Sequence, residues 1–282
     1  MKKFAFLLTL TLFFMTGCKS KDYSLPHFEL GEYKIFTLCD NLHEGNSQIL
    51  ITASDELVKK CLPNGFSSEI NAFLVQNKKH NILIDSGLGN NLLQNLDSLN
   101  VKSEQIDIIL ITHCHGDHIG GLVKDGQKVF NNATIYLSQV EFDYWSKQNN
   151  QLFDEVAKLY ENNIKTFNPN NINNIKEELI ENIFPIATYG HTPGHTSFLL
   201  KEREEQILIW GDITHVTDVQ FQNPEIAVTY DVDPVQAVQT RKEIFDFVQK
   251  NDIVIAGMHI LSPAIGKIVL DENNKYNYIN FE

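Results

Sequence analysis

His113-Cys114-His115-Gly116-Asp117-His118 is the feature that most limits what this chain can become. Three imidazoles and a carboxylate in one short run fit no ordinary core, where each costs desolvation, and they add nothing to packing if exposed. A divalent cation removes the conflict, because zinc accepts imidazole nitrogen and carboxylate oxygen at about 2.0–2.2 Å. The spacing is not helical. His113 and His115 lie two apart, so an extended backbone turns both to one side, and a following turn can bring Asp117 and His118 to a neighbouring point. The preceding run Ile106-Asp107-Ile108-Ile109-Leu110-Ile111-Thr112 reads as a buried strand. The cluster is therefore expected on a loop at a strand end, where sites are commonly built. The plain alternative is a solvated histidine-rich loop, although His-rich tracts usually read as metal sites.

Further motifs follow in order: Gly190-His191-Thr192-Pro193-Gly194-His195, then Trp210-Gly211-Asp212 after the apolar Ile207-Leu208-Ile209, then Gly257-Met258-His259 after Asp252-Ile253-Val254-Ile255-Ala256. Upstream stands Ile82-Leu83-Ile84-Asp85-Ser86-Gly87. Together with the His-X-His-X-Asp-His run, this series resembles the metallo-β-lactamase superfamily over residues 33–282. The resemblance implies an α/β fold, a four-layer αββα sandwich. It implies seven metal ligands: His113, His115 and His191 on one ion, Asp117, His118 and His259 on the other, and Asp212 shared. Asp85 would buttress the site without ligating, and His195 would support it. Two divalent ions, zinc first among candidates, would hold a bridging hydroxide; such pairs, about 3.5–4 Å apart, lower the pKa of a shared water towards neutrality. His27, His43 and His80 have no motif context and are expected at the surface.

Within the superfamily, three-histidine β-lactamases lack a bridging aspartate, and flavodiiron reductases put a glutamate where His115 stands. Ribonuclease Z shares the ligands, but an acidic, exported chain suits nucleic acid poorly. The stretches Gly211–Val216, Val219–Phe221 and Asp231–Pro234 resemble the branch of methyl-parathion-hydrolase-like phosphotriesterases and acyl-homoserine-lactone lactonases. The expected substrate is thus a small lactone, carboxyl ester or phosphotriester. Tyr144-Trp145 resembles that branch's aromatic helix near the pocket mouth, with ordinary core as the alternative for Trp145 and Phe221. His215 stands where lactonases of this superfamily carry a substrate-touching tyrosine. It is a candidate catalytic residue beside Asp212, donating a proton to the leaving group or bonding substrate; the competing role is structural, bonding loop carbonyls. Two other readings stay open at this point: a non-catalytic metal-binding protein, and a mononuclear iron oxygenase of the same fold.

The chain opens with Met1-Lys2-Lys3 and an apolar stretch from Phe4 to Thr16, too short to span a bilayer comfortably. Met15-Thr16-Gly17-Cys18 resembles a bacterial lipoprotein cleavage box, with Met15 departing from the usual leucine. Residues 1–17 are then a signal peptide, Cys18 carries lipid, residues 18–32 form a tether, and residues 33–282 form the hydrolase domain, facing the periplasm or exterior. An ordinary secretory signal is the alternative. The formal charge of −13 argues against nucleic acid as a partner. In an oxidising compartment Cys39 and Cys61 can pair, though nothing in sequence fixes their distance; Cys114 reads as a packed thiol. Oligomeric state is not legible.

The coarse layout places strands at Tyr33–Leu38, Ile49–Thr52, Ala72–Val75 and Asn81–Ile84 as an antiparallel meander. A helix is expected over Leu88–Leu99, a strand at Ala133–Leu137, helices over Gln139–Gln148 and Gln151–Ile164, and a loop at Asn168–Asn174. Strands Thr196–Leu200 and Gln206–Ile209 flank a charged turn. Asp233-Pro234 caps a helix that runs to about Lys250, and Ile268–Leu270 with Tyr276–Ile279 close as a hairpin.

Overall fold

The structure is a computed structural model that describes residues 25–281. The expected signal peptide, the Cys18 anchor and the start of the tether lie outside the described residues. Among the described residues no helix is long and apolar enough to cross a membrane.

The first half of the chain builds a seven-stranded sheet. Its strands are β1 (His27–Leu30), β2 (Tyr33–Glu44), β3 (Ser67–Gln76), β4 (Asn81–Ile84) and β5 (Ile108–Leu110), then, after the small hairpin β6 (Val123–Lys124) and β7 (Gln127–Lys128), β8 (Thr134–Ser138) and β9 (Ile164–Phe167). The order is β1-β2-β3-β4-β5-β8-β9, antiparallel from β1 to β4 and parallel from β4 to β9. The helices interspersed with them are α1 (Asp55–Cys61), α2 (Leu92–Ser98), α3 (Gly116–Ile119), α4 (Gln139–Trp145) and α5 (Gln151–Leu159). The second half gives a six-stranded sheet of β10 (Ile183–Ala187), β11 (Thr196–Glu202), β12 (Glu205–Ile209), β13 (Val254–Ala256), β14 (Ile265–Leu270) and β15 (Tyr276–Asn280), in that order, with helices α6 (Thr217–Gln220) and α7 (Pro234–Lys250).

Period-two alternation explains why the first sheet is covered on both sides. Ile35, Phe73, Val75, Ile82 and Ile84 join a core shared with Phe198, Leu200, Ile207 and Ile209 of the second sheet. Their neighbours Phe36, Leu38, Leu74, Leu83 and Ile109 face the other way, onto Leu92 and Leu96 of α2 and Phe153 and Val156 of α5. On α7 the buried positions Ala237, Arg241, Ile244, Phe245 and Val248 recur at helical spacing, and Ile244, Phe245 and Val248 pack with the second sheet. The layers are therefore helix, sheet, sheet, helix.

Several expectations need correction. No strand runs over Ile49–Thr52: the Asn46 side chain accepts from the Gln48 N–H and turns Ser47–Ile49 into a short 3-10 helix, and Leu50 then bridges Val228. The expected tether boundary at Tyr33 falls inside a hairpin, since His27–Leu30 pair with Tyr33–Phe36 as an edge strand. The helix expected from Leu88 starts at Leu92, because the buried Asp40 carboxylate accepts the backbone N–H groups of Leu88, Gly89, Asn91 and Leu92 and holds them in a turn. The helix expected to reach Ile164 ends at Leu159, and Ile164 opens β9 instead. Cys39 and Cys61, whose pairing the sequence left open, are free thiols, and Cys114 is the buried free thiol expected of it.

Candidate metal centre

Parallel strands deliver the site. Asp85 and the His113 run follow the C-terminal ends of β4 and β5, while Asp212 and His259 follow β12 and β13, at the junction of the two sheets. His191 comes from the loop between β10 and β11. Seven residues singled out by motif converge here. His113 Nε2 and His191 Nε2 lie 3.0 and 2.9 Å from His115 Nδ1, and the carboxylate of Asp212 joins them to form one group of donors. Asp117, His118 and His259 form a second group, with Asp117 Oδ2 3.7 Å from His118 Nε2 and 3.5 Å from His259 Nε2. Asp212 stands between the groups: Oδ2 is 3.3 Å from His191 Nε2 and 3.2 Å from His259 Nε2, and Oδ1 is 3.2 Å from His118 Nε2.

The chemistry of these donors fits a cation. His118 Nε2 and Asp212 Oδ1 are buried without a hydrogen-bond partner despite their closeness, because their alignment is wrong for a bond. Behind the inward-facing nitrogens the opposite ring nitrogens are tied down. His118 Nδ1 meets Asp85 Oδ2 at 2.7 Å, His191 Nδ1 meets Asp231 Oδ1 at 2.9 Å, and His259 Nδ1 meets the Glu69 carbonyl at 3.0 Å. A proton on each of those outer nitrogens leaves an Nε2 lone pair aimed at the common centre, the arrangement metal-binding imidazoles favour. Asp85 adopts φ +57° and also accepts the N–H and hydroxyl of Thr112, so it stiffens the strand end that launches His113.

The buried carboxylates and imidazoles shift one another strongly. Burial pushes the Asp212 carboxyl up, but the imidazoles of His118, His259, His113 and His215 outweigh it and hold the carboxyl well below its ordinary range. Burial and the neighbouring His191 drive His115 down to about 3. His191 instead rises to about 9, because Asp212 and Asp231 overcome its burial.

His195 has no nitrogen to spare. Its Nδ1 contacts the Thr188 hydroxyl and carbonyl, and its Nε2 accepts the Asp212 N–H at 2.9 Å. That last contact needs Gly211, at φ +65°, since a Cβ there would sit 2.5 Å from His195 Nε2. His215 is buried, with Nε2 3.1 Å from Asp212 Oδ2 and its ring stacked on His259. Its Nδ1 meets no hydrogen-bonding partner among the described residues, and it is its backbone N–H, bonded to Gln220, that fixes the loop. Arg241, buried on α7, reaches the same loop and donates to the carbonyls of Ile213, Pro224 and Ile226.

The floor opens into a cleft of about 480 Å³, lined by His115, Asp117, Asp212, His215 and His259 below and by Ile49, Phe66, Ile70, Leu88 and Tyr230 on its walls. His43, expected merely at the surface, also lines it. Trp145 and Phe221 do not; both are core side chains, although the edge of Trp145 touches the His115 ring. Motif reading gave no role to Asp231, Glu69 or Glu141. Their partners stand far off in sequence, so no local spacing announces them.

The family model of the metallo-beta-lactamase superfamily matches residues 68–259. The chain belongs to that superfamily of metal-dependent hydrolases. A probable metallo-hydrolase of Methanocaldococcus jannaschii is 29% identical over 124 residues, 43% of this chain and 47% of that protein. Across the first two curated relatives the match spans 61% and 47% of their length. Among solved structures, a hydrolase in the beta lactamase superfamily, AbOPH, is 32% identical with a TM-score of 0.81, covering 92% of this chain and 98% of that one. AidC, described as a dizinc quorum-quenching lactonase in complex with a product, superposes with a TM-score of 0.83 at 22% identity, covering 92% of this chain and 97% of its own.

Proposed function

We propose that the chain is a dinuclear-metal hydrolase that opens a lactone or cleaves a carboxyl ester or phosphotriester. The observation that carries this is the Asp212 carboxylate, 3.3 Å from His191 Nε2 on one side and 3.2 Å from His118 Nε2 and His259 Nε2 on the other, at the floor of an apolar-walled cleft. In this reading His113, His115 and His191 would hold one divalent ion and Asp117, His118 and His259 the other, with Asp212 available to both. Bound there, two ions supply a nucleophilic water of lowered pKa and polarise the bond under attack.

The remaining work falls to the chain. Asp85, Asp231 and the Glu69 carbonyl keep His118, His191 and His259 in the tautomer that offers Nε2 inward. The Ile49, Phe66 and Tyr230 walls favour a neutral, rather apolar substrate and exclude water from it. His215, on the floor with Nε2 3.1 Å from Asp212 Oδ2, would bond a substrate oxygen or deliver a proton to the leaving group. Cys114 offers no competing nucleophile, because burial pushes its thiol well above the ordinary range. The solved neighbours support the substrate class, one being a lactonase with its product bound.

Metal content of protein purified without chelator tests this together with a panel of lactones, esters, phosphotriesters and β-lactams. Two ions per chain and turnover of a lactone or ester are expected. One iron per chain points to an oxygenase, and metal without turnover on any of the panel points to a binding protein. The lipid on Cys18 is part of the same proposal: Cys18→Ser should move the protein from the membrane to the soluble fraction with specific activity unchanged, and wild type wholly soluble would refute it.

A further inference from the structure

Glu141 is a buried carboxylate with no work in the chemistry above. It lies on α4, behind the ligands, and accepts four hydrogen bonds. Oε1 takes the Cys114 N–H at 2.9 Å and the Trp145 indole N–H at 2.6 Å; Oε2 takes the Thr192 hydroxyl at 2.7 Å and the Gly194 N–H at 3.0 Å. Cys114 is the residue between His113 and His115, and Thr192 and Gly194 flank Pro193 in the loop between His191 and His195. One side chain thus ties together the two segments that carry His113, His115 and His191.

The fit is close on both sides. A Cβ at Gly194 would stand 2.2 Å from the Glu141 backbone nitrogen, so the loop crosses the start of α4 in backbone contact. The indole that Glu141 fixes is the one whose edge packs on the His115 ring, 5.5 Å between centroids. No cation pairs with the carboxylate among these contacts; its four partners are all neutral donors. A buried carboxylate satisfied in this way is costly to place, and a hydrophobic residue would fill the position with less penalty. The cost is intelligible if the acceptor sets a distance that packing alone leaves loose.

We infer that Glu141 is the positioning residue of the three-histidine metal group, fixing the separation of its two loops and the tilt of His115. The inference rests on the dinuclear reading. Glu141→Gln keeps the shape but turns one oxygen into a donor, so either Cys114 and Trp145 or Thr192 and Gly194 face an amide that cannot accept from them. The Asp117, His118 and His259 group makes no contact with Glu141 and stays as it is.

Stepwise zinc titration of the chelator-stripped full chain, in competition with a chromophoric chelator, reads this directly. Wild type is expected to take up two ions. Glu141→Gln should bind one ion as wild type does and the other about 10–100-fold more weakly, the usual loss when a residue that orients a ligand is removed. Its circular dichroism should be unchanged, and kcat should return at high zinc. Both ions held at wild-type affinity, or both weakened equally as in general destabilisation, would overturn the inference. If Glu141→Gln does not fold, Thr192→Val removes one donor to Oε2; a selective, smaller loss at one ion is then expected, and no loss would overturn it. Wild type that binds fewer than two ions would sink the dinuclear reading itself, a result seen before any variant is made.

Discussion

The floor of the cleft and its outer wall are built on opposite principles. On the floor, nearly every polar atom is held from behind: His118 by Asp85, His191 by Asp231, His259 by the Glu69 carbonyl and the Asp212 N–H by His195. The wall comes from the connection between β2 and β3, where His43 and Asn46 are exposed and Ile49 and Phe66 only half-buried. Its hydrogen bonds run mainly through the backbone, locally as from the Gln48 N–H to Asn46 Oδ1, and across from the Ile51 N–H to the Ala227 carbonyl and from the Thr229 N–H to the Ile49 carbonyl. Over-determined geometry suits a reaction centre, where small displacements are expensive. An apolar wall of half-buried side chains suits selection among substrates that share one reactive bond. The difference teaches that chemistry and selectivity here should be separable by mutation.

The strongest way to break that separation is at the shared carboxylate. Asp212→Ala should abolish turnover of every substrate and release at least one metal ion, read by metal analysis alongside activity; full activity with both ions present would end the assignment. Next in size is His215→Phe. General acid help is worth about 10²–10⁴-fold and matters most for poor leaving groups, so an aliphatic lactone should lose far more than a nitrophenyl ester, with both ions retained. Equal losses on the two substrates would remove His215 from the mechanism.

His195→Ala should cost less, about 10–100-fold, since its imidazole orients Asp212 through the backbone and does not face the donors. If it strips metal while His191→Ala does not, the roles within that motif are reversed. The smallest effect is expected at the wall. Phe66→Ala should leave kcat and metal content alone and raise KM for apolar substrates about fivefold, from roughly 1 kcal/mol of lost apolar contact. A comparable loss in kcat would show that wall and floor act as one unit.

Much of the floor is legible in the sequence because donors cluster at strand ends in short runs. His113 to His118 announce themselves within a single stretch, and Asp212 and His259 each follow an apolar strand that ends on the same edge. Glu141 is illegible because its partners lie 27 and 51 residues away in Cys114 and Thr192. Asp231 is hidden likewise, 40 residues from His191. The wall is misread for another reason. The apolar run at Ile49 satisfies a strand pattern, yet periodicity cannot tell a side chain that faces a sheet from one that faces a cleft. His43 looks ordinary for the same cause, since only the long β2–β3 pairing, His43 opposite Ser68, brings it over the floor. The sandwich itself is read well where strands alternate cleanly, and poorly at β1, β9 and β10, whose short runs lack that signal.

Arg241 carries one more consequence. Burial lowers its guanidinium only to about 10, so it stays charged at neutral pH while gripping three carbonyls of the segment from Ile213 to Ile226. The outermost helix thereby holds one bank of the cleft in place by a planar fork that lysine, with a single ammonium head, does not reproduce. A segment transplanted from a relative to reshape the Tyr230 side would arrive without its fastening unless its carbonyls met this arginine in the same places. The unit available for grafting is therefore the loop together with the arginine turn of α7.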